Sequence, residues 1–182
     1  MSNTSIDDLF DAFADDLLGE RAPRPLIIVG ASKVDDLLLQ VLSQHLLPKK
    51  AKPKDQDELL EGDRPLATFS ARIKLTYRLG LIDETCYTAL EQLRTLRNSS
   101  AHSIAFDIDK SPTREHLAAL RKSITHRQSF RLTRDRYFDG AHLTGVEELQ
   151  CLLLSLCVLL EAVRKKISVT RGNKHTFNIA SR

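Results

Sequence analysis

The spacing of hydrophobic residues along the chain is typical of helices. Residues 5–18 carry apolar side chains on one helical stripe, which predicts a short amphipathic helix. A second helix, with Pro25 in its first turn and an end near Leu47, is apolar over most of its circumference, as a central helix is. Thr144-x-x-Glu147 resembles a capping box and begins the last helix, in which residues 151–163 contain eleven apolar residues in thirteen.

Three further helices are predicted between these segments. One opens at Gly62-Asp63-Arg64-Pro65 and ends near Gly80, one is capped by Asp83 and reaches about Ala101, and one runs from Ser111-Pro112 to about Arg127. We expect residues 128–143 to be irregular, with a short hairpin as an alternative. The prediction is therefore an all-α protein with about six helices in a single helical bundle over residues 1–167, followed by a flexible, basic tail at 168–182.

Composition supports this fold class. The 182 residues are 42% hydrophobic and include only 7 Gly and 6 Pro, which is too few for a turn-dense β-sandwich or for a disordered chain. The three cysteines form no paired framework, and no apolar run reaches the ~18 residues that a membrane span needs. We expect a soluble, cytoplasmic protein without a membrane segment.

Charge is distributed unevenly around a net charge of +3. Residues 1–20 hold six acidic residues and no Lys or Arg, whereas residues 114–136 hold seven basic residues and two acidic ones. A basic stretch can attract nucleic acid. It can equally be a solvated helix face, or a surface that binds the acidic N-terminus of the same or another chain.

The candidate chemistry lies near the end of the helix that Asp83 caps. On a helical wheel Arg97 falls on the apolar stripe, where a guanidinium needs a partner because an unpaired buried charge costs several kcal/mol. Asp35 falls on the buried side of the second helix. We expect Asp35 and Arg97 to face each other, either as a fold-holding ion pair or as part of a functional site.

Asn98 and His102 share one face of the same helix because they are four residues apart. They lie about 100° or more around the helix from Arg97. The three side chains converge only if the helix ends near residue 101, or if two copies meet across a two-fold axis. An imidazole that exchanges a proton near neutral pH, an arginine and an amide suffice for metal-free phosphoryl chemistry. The alternative is that His102 is a capping or surface residue.

Two resemblances bear on this segment. Arg97-Asn98-x-x-x-His102 resembles the R-x4-H motif of the HEPN superfamily. More closely, Leu60-Glu61-Gly62-Asp63-Arg64-Pro65-Leu66, Phe69-Ser70-Ala71-Arg72-Ile73-Lys74-Leu75 and Leu79-Gly80-Leu81-Ile82-Asp83, followed by the Arg97 motif, are similar to the mannitol operon repressor-like (MltR) family over roughly residues 24–165.

These resemblances imply two functions. The HEPN resemblance implies an HEPN-like helical bundle, a homodimer and a metal-independent ribonuclease of a toxin or defence system, which would have RNA as substrate and an antitoxin as partner. Its catalytic residues would be Arg97 and His102, supported by Asn98 and Asp35. The MltR resemblance implies a non-enzymatic transcriptional regulator or adaptor that acts through protein partners, without a DNA-reading motif of its own.

Several classes of site are absent from the sequence. The histidines and cysteines show no metal-ligand spacing, and no Gly-rich phosphate loop or Ser nucleophile elbow occurs. Aromatic residues make up 5% of the chain, which argues against a base-stacking platform. We expect neither a metal nor a cofactor.

Overall fold

The structure is a computed structural model that describes residues 6–49, 56–103, 106–140, 142–143 and 145–169, with the backbone alone for 6–10. Every regular element in these ranges is a helix. Seven occur in chain order: α1 (Ile6–Gly19), α2 (Pro23–His45), α3 (Phe69–Arg78), α4 (Glu84–His102), α5 (Thr113–Ile124), α6 (Gln128–Tyr137) and α7 (Gly145–Lys166). The all-α helical bundle predicted from the sequence is confirmed, with one helix more than expected.

Helix α7 forms the centre of the bundle and packs against α2, α5 and α6. Nine consecutive residues, 149–157, are buried, so the first part of the apolar run of this helix lies in the core. Gly30 of α2 lies opposite Leu153 of α7. A Cβ at this position would lie 2.8 Å from Leu153 Cδ1, so the absence of a side chain at residue 30 allows the two helices to approach closely.

Helix α1 is fixed to the bundle by an amide side chain as well as by apolar contacts. Its Ala14 and Leu17 are buried. Gln150 of α7 is 1% exposed, and its Nε2 lies 2.9–3.1 Å from the backbone carbonyl oxygens of residues 17, 18 and 20. A buried amide thereby satisfies carbonyls that the end of a helix leaves without intrahelical donors.

Two predicted boundaries are wrong. Residues 128–137 form the helix α6 and not an irregular segment, because Ser129, Phe130 and Thr133 give this arginine-rich stretch a narrow buried face. Helix α3 starts at Phe69 and not at Gly62, because the Thr68 side chain accepts a hydrogen bond from the Ala71 N–H and caps the helix there.

The predicted C-terminus of α3 and the predicted N-terminus of α4 agree with the structure. Gly80 has φ +70°, the left-handed conformation that follows a helix C-terminus. The Asp83 carboxylate accepts a hydrogen bond from the Cys86 N–H at 2.8 Å and caps α4. Thr144 of the predicted capping box lies outside the described residues, as do residues 170–182 of the predicted tail. None of the described helices has the length and apolar character needed to span a membrane.

Candidate functional site

Asp35 binds Arg72. Nη1 of Arg72 lies 2.8 Å from Oδ1 of Asp35, and Nη2 donates to the Leu60 carbonyl oxygen at 2.8 Å. Arg72 is 8% exposed, so the pair joins α2, α3 and the turn before α3 at the edge of the core. The expected ion pair between Asp35 and Arg97 is therefore wrong: the carboxylate of Asp35 is already neutralised by a different arginine.

The Arg97 side chain is exposed, contrary to the expectation that it lies in the apolar stripe. Its Nη1 donates a 3.3 Å hydrogen bond to Oδ1 of the adjacent Asn98. The helical wheel places residue 97 near Leu90, which is buried. At the level of Arg97, however, that side of α4 opens onto a pocket, so the guanidinium reaches water without leaving the helix face that the wheel assigns to it.

This opening, which we call the α2–α4 pocket, has a volume of about 350 Å³. It brings together three of the four predicted site residues, namely Asp35, Arg97 and Asn98. The other polar residues of its lining are Ser32 of α2, Arg94 of α4, and Thr68 and Ser70 of the capping turn of α3. The fourth predicted residue, His102, is not among the residues that line it.

His102 is exposed and lines a second opening of about 470 Å³, together with Asp107, Lys110 and Ser111. Within one chain the imidazole of His102 and the guanidinium of Arg97 therefore face different openings. The assembly of Arg97 and His102 into one centre remains a prediction that depends on a second copy of the chain.

Charge in the α2–α4 pocket is set by Arg97. Arg72 neutralises Asp35, and Arg94, which also lines the pocket, donates to Oε2 of Glu91 at 2.8 Å. Within the described part of the chain, the guanidinium of Arg97 has no carboxylate partner. The pocket therefore carries one uncompensated positive charge among hydroxyl and amide groups.

The basic stretch 114–136 is partly neutralised by carboxylates of other elements. Arg121 pairs with Glu148, Arg127 with Asp83 at 2.5 Å, and Arg136 with Asp11 at 2.7 Å. The contact of Arg136 brings an acidic residue of α1 against this stretch in the same chain. These pairs reduce the positive field that a nucleic acid would meet.

Sequence reasoning missed Arg72 as a residue of this region. Arg72 immediately precedes Ile73 and is four residues before Thr76, both of which are fully buried. That spacing could have placed Arg72 on the buried face of α3 and identified it as the partner that Asp35 needs.

The described residues contain no group of three or more His, Cys, Asp or Glu side chains that could hold a metal ion. Cys86, Cys151 and Cys157 are all buried. Desolvation raises the pKa of Cys86 and Cys157 to about 12 and that of Cys151 to about 11. Their thiols are consequently protonated at neutral pH and are core residues, not nucleophiles.

Comparison with known proteins shows the fold. No protein family model and no curated protein matches the sequence. The crystal structure of the MtlR–HPr complex from Escherichia coli contains a chain with a TM-score of 0.57 and 20% identity, over 85% of this chain and 98% of that one. A possible transcriptional regulator, YggD from Shigella flexneri, has a TM-score of 0.57 and 14% identity over the same shares. The protein thus has an MltR-like fold. These similarities give no support to the resemblance to the HEPN superfamily.

Proposed function

We propose that this protein is a cytoplasmic, non-enzymatic regulator that acts by binding a protein partner. The observation that carries the proposal is a groove of about 470 Å³ between α6 and α7, which we call the α6–α7 groove. Its floor is apolar and its rim is basic, a combination that suits an acidic amphipathic segment of another protein.

The apolar floor consists of one residue of α6 and three of α7. Leu132 is 54% exposed, and Ala162 is also exposed, whereas Val158 and Leu159 are half-buried. Exposed apolar side chains that adjoin one another mark interaction sites more often than scattered ones do. A partner that covers Leu132 would remove this surface from water.

In the rim of the groove the carboxylate of Asp83 is neutralised by Arg127, and the remaining groups are positive or hydrogen-bonding. His126, Gln128 and Lys166 are exposed and line the groove. Arg131, which is adjacent to Leu132 in sequence, is exposed and has no carboxylate partner among the described residues. This arrangement favours an acidic partner, because charge complementarity steers association and excludes partners of the wrong sign.

The structural neighbours support a partner-binding role. MtlR was crystallised in complex with another protein, HPr, and YggD is described as a possible transcriptional regulator. Both share the helical bundle of this chain, and the complex of MtlR supports binding of another protein as a function that this fold accommodates. We extend that mode of action to the present protein by analogy of fold.

A metal-independent ribonuclease is the second candidate. The observation that favours it is the exposure of both Arg97 and His102 near the end of α4, where the side chains of a second copy could reach them. In that case His102 would activate a ribose 2′-hydroxyl, and Arg97 would stabilise the charge on the phosphate. This candidate requires a homodimer that joins Arg97 and His102 from two chains.

The deciding experiment compares variants of the full chain in a strain that lacks the gene. We expect wild-type protein and the His102→Ala variant to restore the same transcript profile, and the Leu132→Asp variant to fail. Leu47→Asp is the matched control, because Leu47 is 63% exposed and lies at the far end of α2, outside the groove. Failure of Leu47→Asp to restore transcripts, or full restoration by Leu132→Asp, would contradict the proposed groove.

A second measurement separates the regulator from the ribonuclease. Purified wild-type protein and the His102→Ala variant are incubated with total RNA in the presence of EDTA. We expect intact RNA in both samples. Cleavage by the wild type that is lost in His102→Ala would identify the ribonuclease and overturn the regulator.

A further inference from the structure

The lining of the α2–α4 pocket is rich in hydrogen-bond donors. Asn98 uses its Oδ1 to accept from Arg97, so its Nδ2 remains available as a donor. Thr68 uses its hydroxyl oxygen to accept from the Ala71 N–H, so its hydroxyl proton is also free to donate. Ser70 adds a further hydroxyl at the pocket.

The pocket also carries a net positive charge, which favours the same kind of ligand as its hydrogen-bond donors do. The carboxylate of Asp35 is bound by Arg72, and Arg97 contributes a positive charge that no described carboxylate compensates. The first turn of α3 adds its positive end, since residues 68–70 line the pocket. A ligand that accepts several hydrogen bonds and carries negative charge would satisfy all of these groups.

We propose that the α2–α4 pocket binds the phosphate group of a small phosphorylated metabolite, held by Arg97, Asn98 and the hydroxyl groups of Thr68 and Ser70. Donors from the capping turn of α3 and from α4 line the same pocket, and this number of donors suits a phosphate, which offers more acceptor oxygens than a carboxylate. The volume of about 350 Å³ accommodates the phosphate and a short carbon chain. This site uses neither His102 nor the α6–α7 groove, so it stands independently of the proposed function.

The test is an NMR titration of the isotope-labelled full chain at constant ionic strength, with inorganic phosphate, glycerol 3-phosphate and acetate as probes. We expect the phosphate probes to shift the backbone amides of residues 69, 70, 97 and 98 in a saturable manner. Glycerol 3-phosphate should bind more tightly than inorganic phosphate, because its carbon chain fills more of the pocket. Acetate should bind more weakly than either.

Substitutions localise the effect. Arg97→Gln removes the charge and should weaken phosphate binding by about tenfold or more, and Ser70→Ala should weaken it severalfold. Arg131→Gln removes an exposed arginine of α6 that does not line this pocket and should leave the affinity unchanged, as should His102→Ala. Circular dichroism spectra confirm that each variant is folded.

Three results would overturn the proposal. The amides of residues 69, 70, 97 and 98 could fail to shift at millimolar phosphate. Arg97→Gln and Arg131→Gln could reduce binding equally, which would indicate a general charge effect. Acetate could bind as tightly as phosphate, which would indicate a carboxylate site. Each of these results leaves the test of the α6–α7 groove unaffected, because that test compares transcripts from Leu132→Asp and Leu47→Asp, and neither residue lines the α2–α4 pocket.

Discussion

The carboxylate of Asp35 is bound by Arg72, at 2.8 Å between Oδ1 and Nη1, and the same guanidinium donates to the Leu60 carbonyl oxygen. One nearly buried side chain thus connects α2, α3 and the turn that precedes α3. Because Arg72 satisfies two groups that would otherwise lack a partner, its structural role is greater than that of Arg97, which lies in water.

We expect Arg72→Met to destabilise the protein by about 2–4 kcal/mol, since it leaves a half-buried carboxylate and a buried carbonyl without their donor. Arg97→Gln should change the free energy of unfolding by less than about 0.5 kcal/mol, as is typical of surface substitutions. Urea denaturation of both variants tests this comparison. A larger loss for Arg97→Gln than for Arg72→Met would contradict the observed pairing.

A helical wheel drawn from the sequence places Asp35 on the buried side of α2, but it does not identify the residue that pairs with Asp35. A helical wheel reports direction around one helix, and it does not report how far a neighbouring helix extends along it. Arg97 illustrates this limit, because its wheel position is shared with the buried Leu90 while its own level of the bundle opens to solvent. Arg72 lies inside the helix predicted to end near Gly80, but a hydrophobic pattern does not mark a charged side chain as buried.

The contact between Gly30 and Leu153 predicts a second effect on stability. Replacing Gly30 by Val would place side-chain atoms against the Cδ atoms of Leu153, which lies within the buried segment 149–157. We expect a loss of about 1–3 kcal/mol from overpacking, visible as a lower denaturation midpoint. Gly19→Val is the matched control, because no heavy atom lies within 4 Å of a Cβ at that position.

The prediction of long helices succeeded where burial was extensive, and it failed for α6. Helices α2 and α7 bury nine and ten residues, and their hydrophobic patterns are correspondingly strong. Helix α6 buries three residues, Ser129, Phe130 and Thr133, of which two are polar. A hydrophobic pattern cannot reveal a helix whose buried face is made largely of small hydroxyl side chains.

The buried thiols give a prediction about chemical reactivity. Burial raises the pKa of each cysteine to about 11 or 12, so the thiolate fraction at pH 8 is very small. We expect Cys86, Cys151 and Cys157 to remain unmodified by a thiol-specific disulfide reagent in the native protein, and all three to react in urea. Rapid labelling of any of them without denaturant would contradict their positions in the core.

The ion pair of Asp83 predicts a dependence of stability on pH. The hydrogen bond from Arg127 is the main cause that lowers the pKa of Asp83 below its usual value of 3.8. Because the folded state favours the charged carboxylate, this contribution is fully present above about pH 4 and is lost as the pH falls through the lowered pKa. The stability of the wild type should therefore decrease in this acidic range.

Urea denaturation at a series of pH values tests this expectation. Asp83→Asn keeps a side chain that can cap α4 but removes the charge, so its stability should depend less on pH below about 4. Arg127→Gln should reduce the acid dependence in the same way, because it removes the donor. An unchanged slope in both variants would show that other carboxylates control the acid sensitivity.

The three carbonyl groups that converge on Gln150 make helix α1 an integral part of the bundle. A protein shortened to begin at Pro23 would lose the three carbonyl partners of Gln150 and would uncover the apolar surface of α7 against which Ala14 and Leu17 lie. We expect such a truncated protein to aggregate, so it would not be suitable for mapping a binding surface. Studies of this protein should accordingly attach fusion tags upstream of α1 and retain that helix.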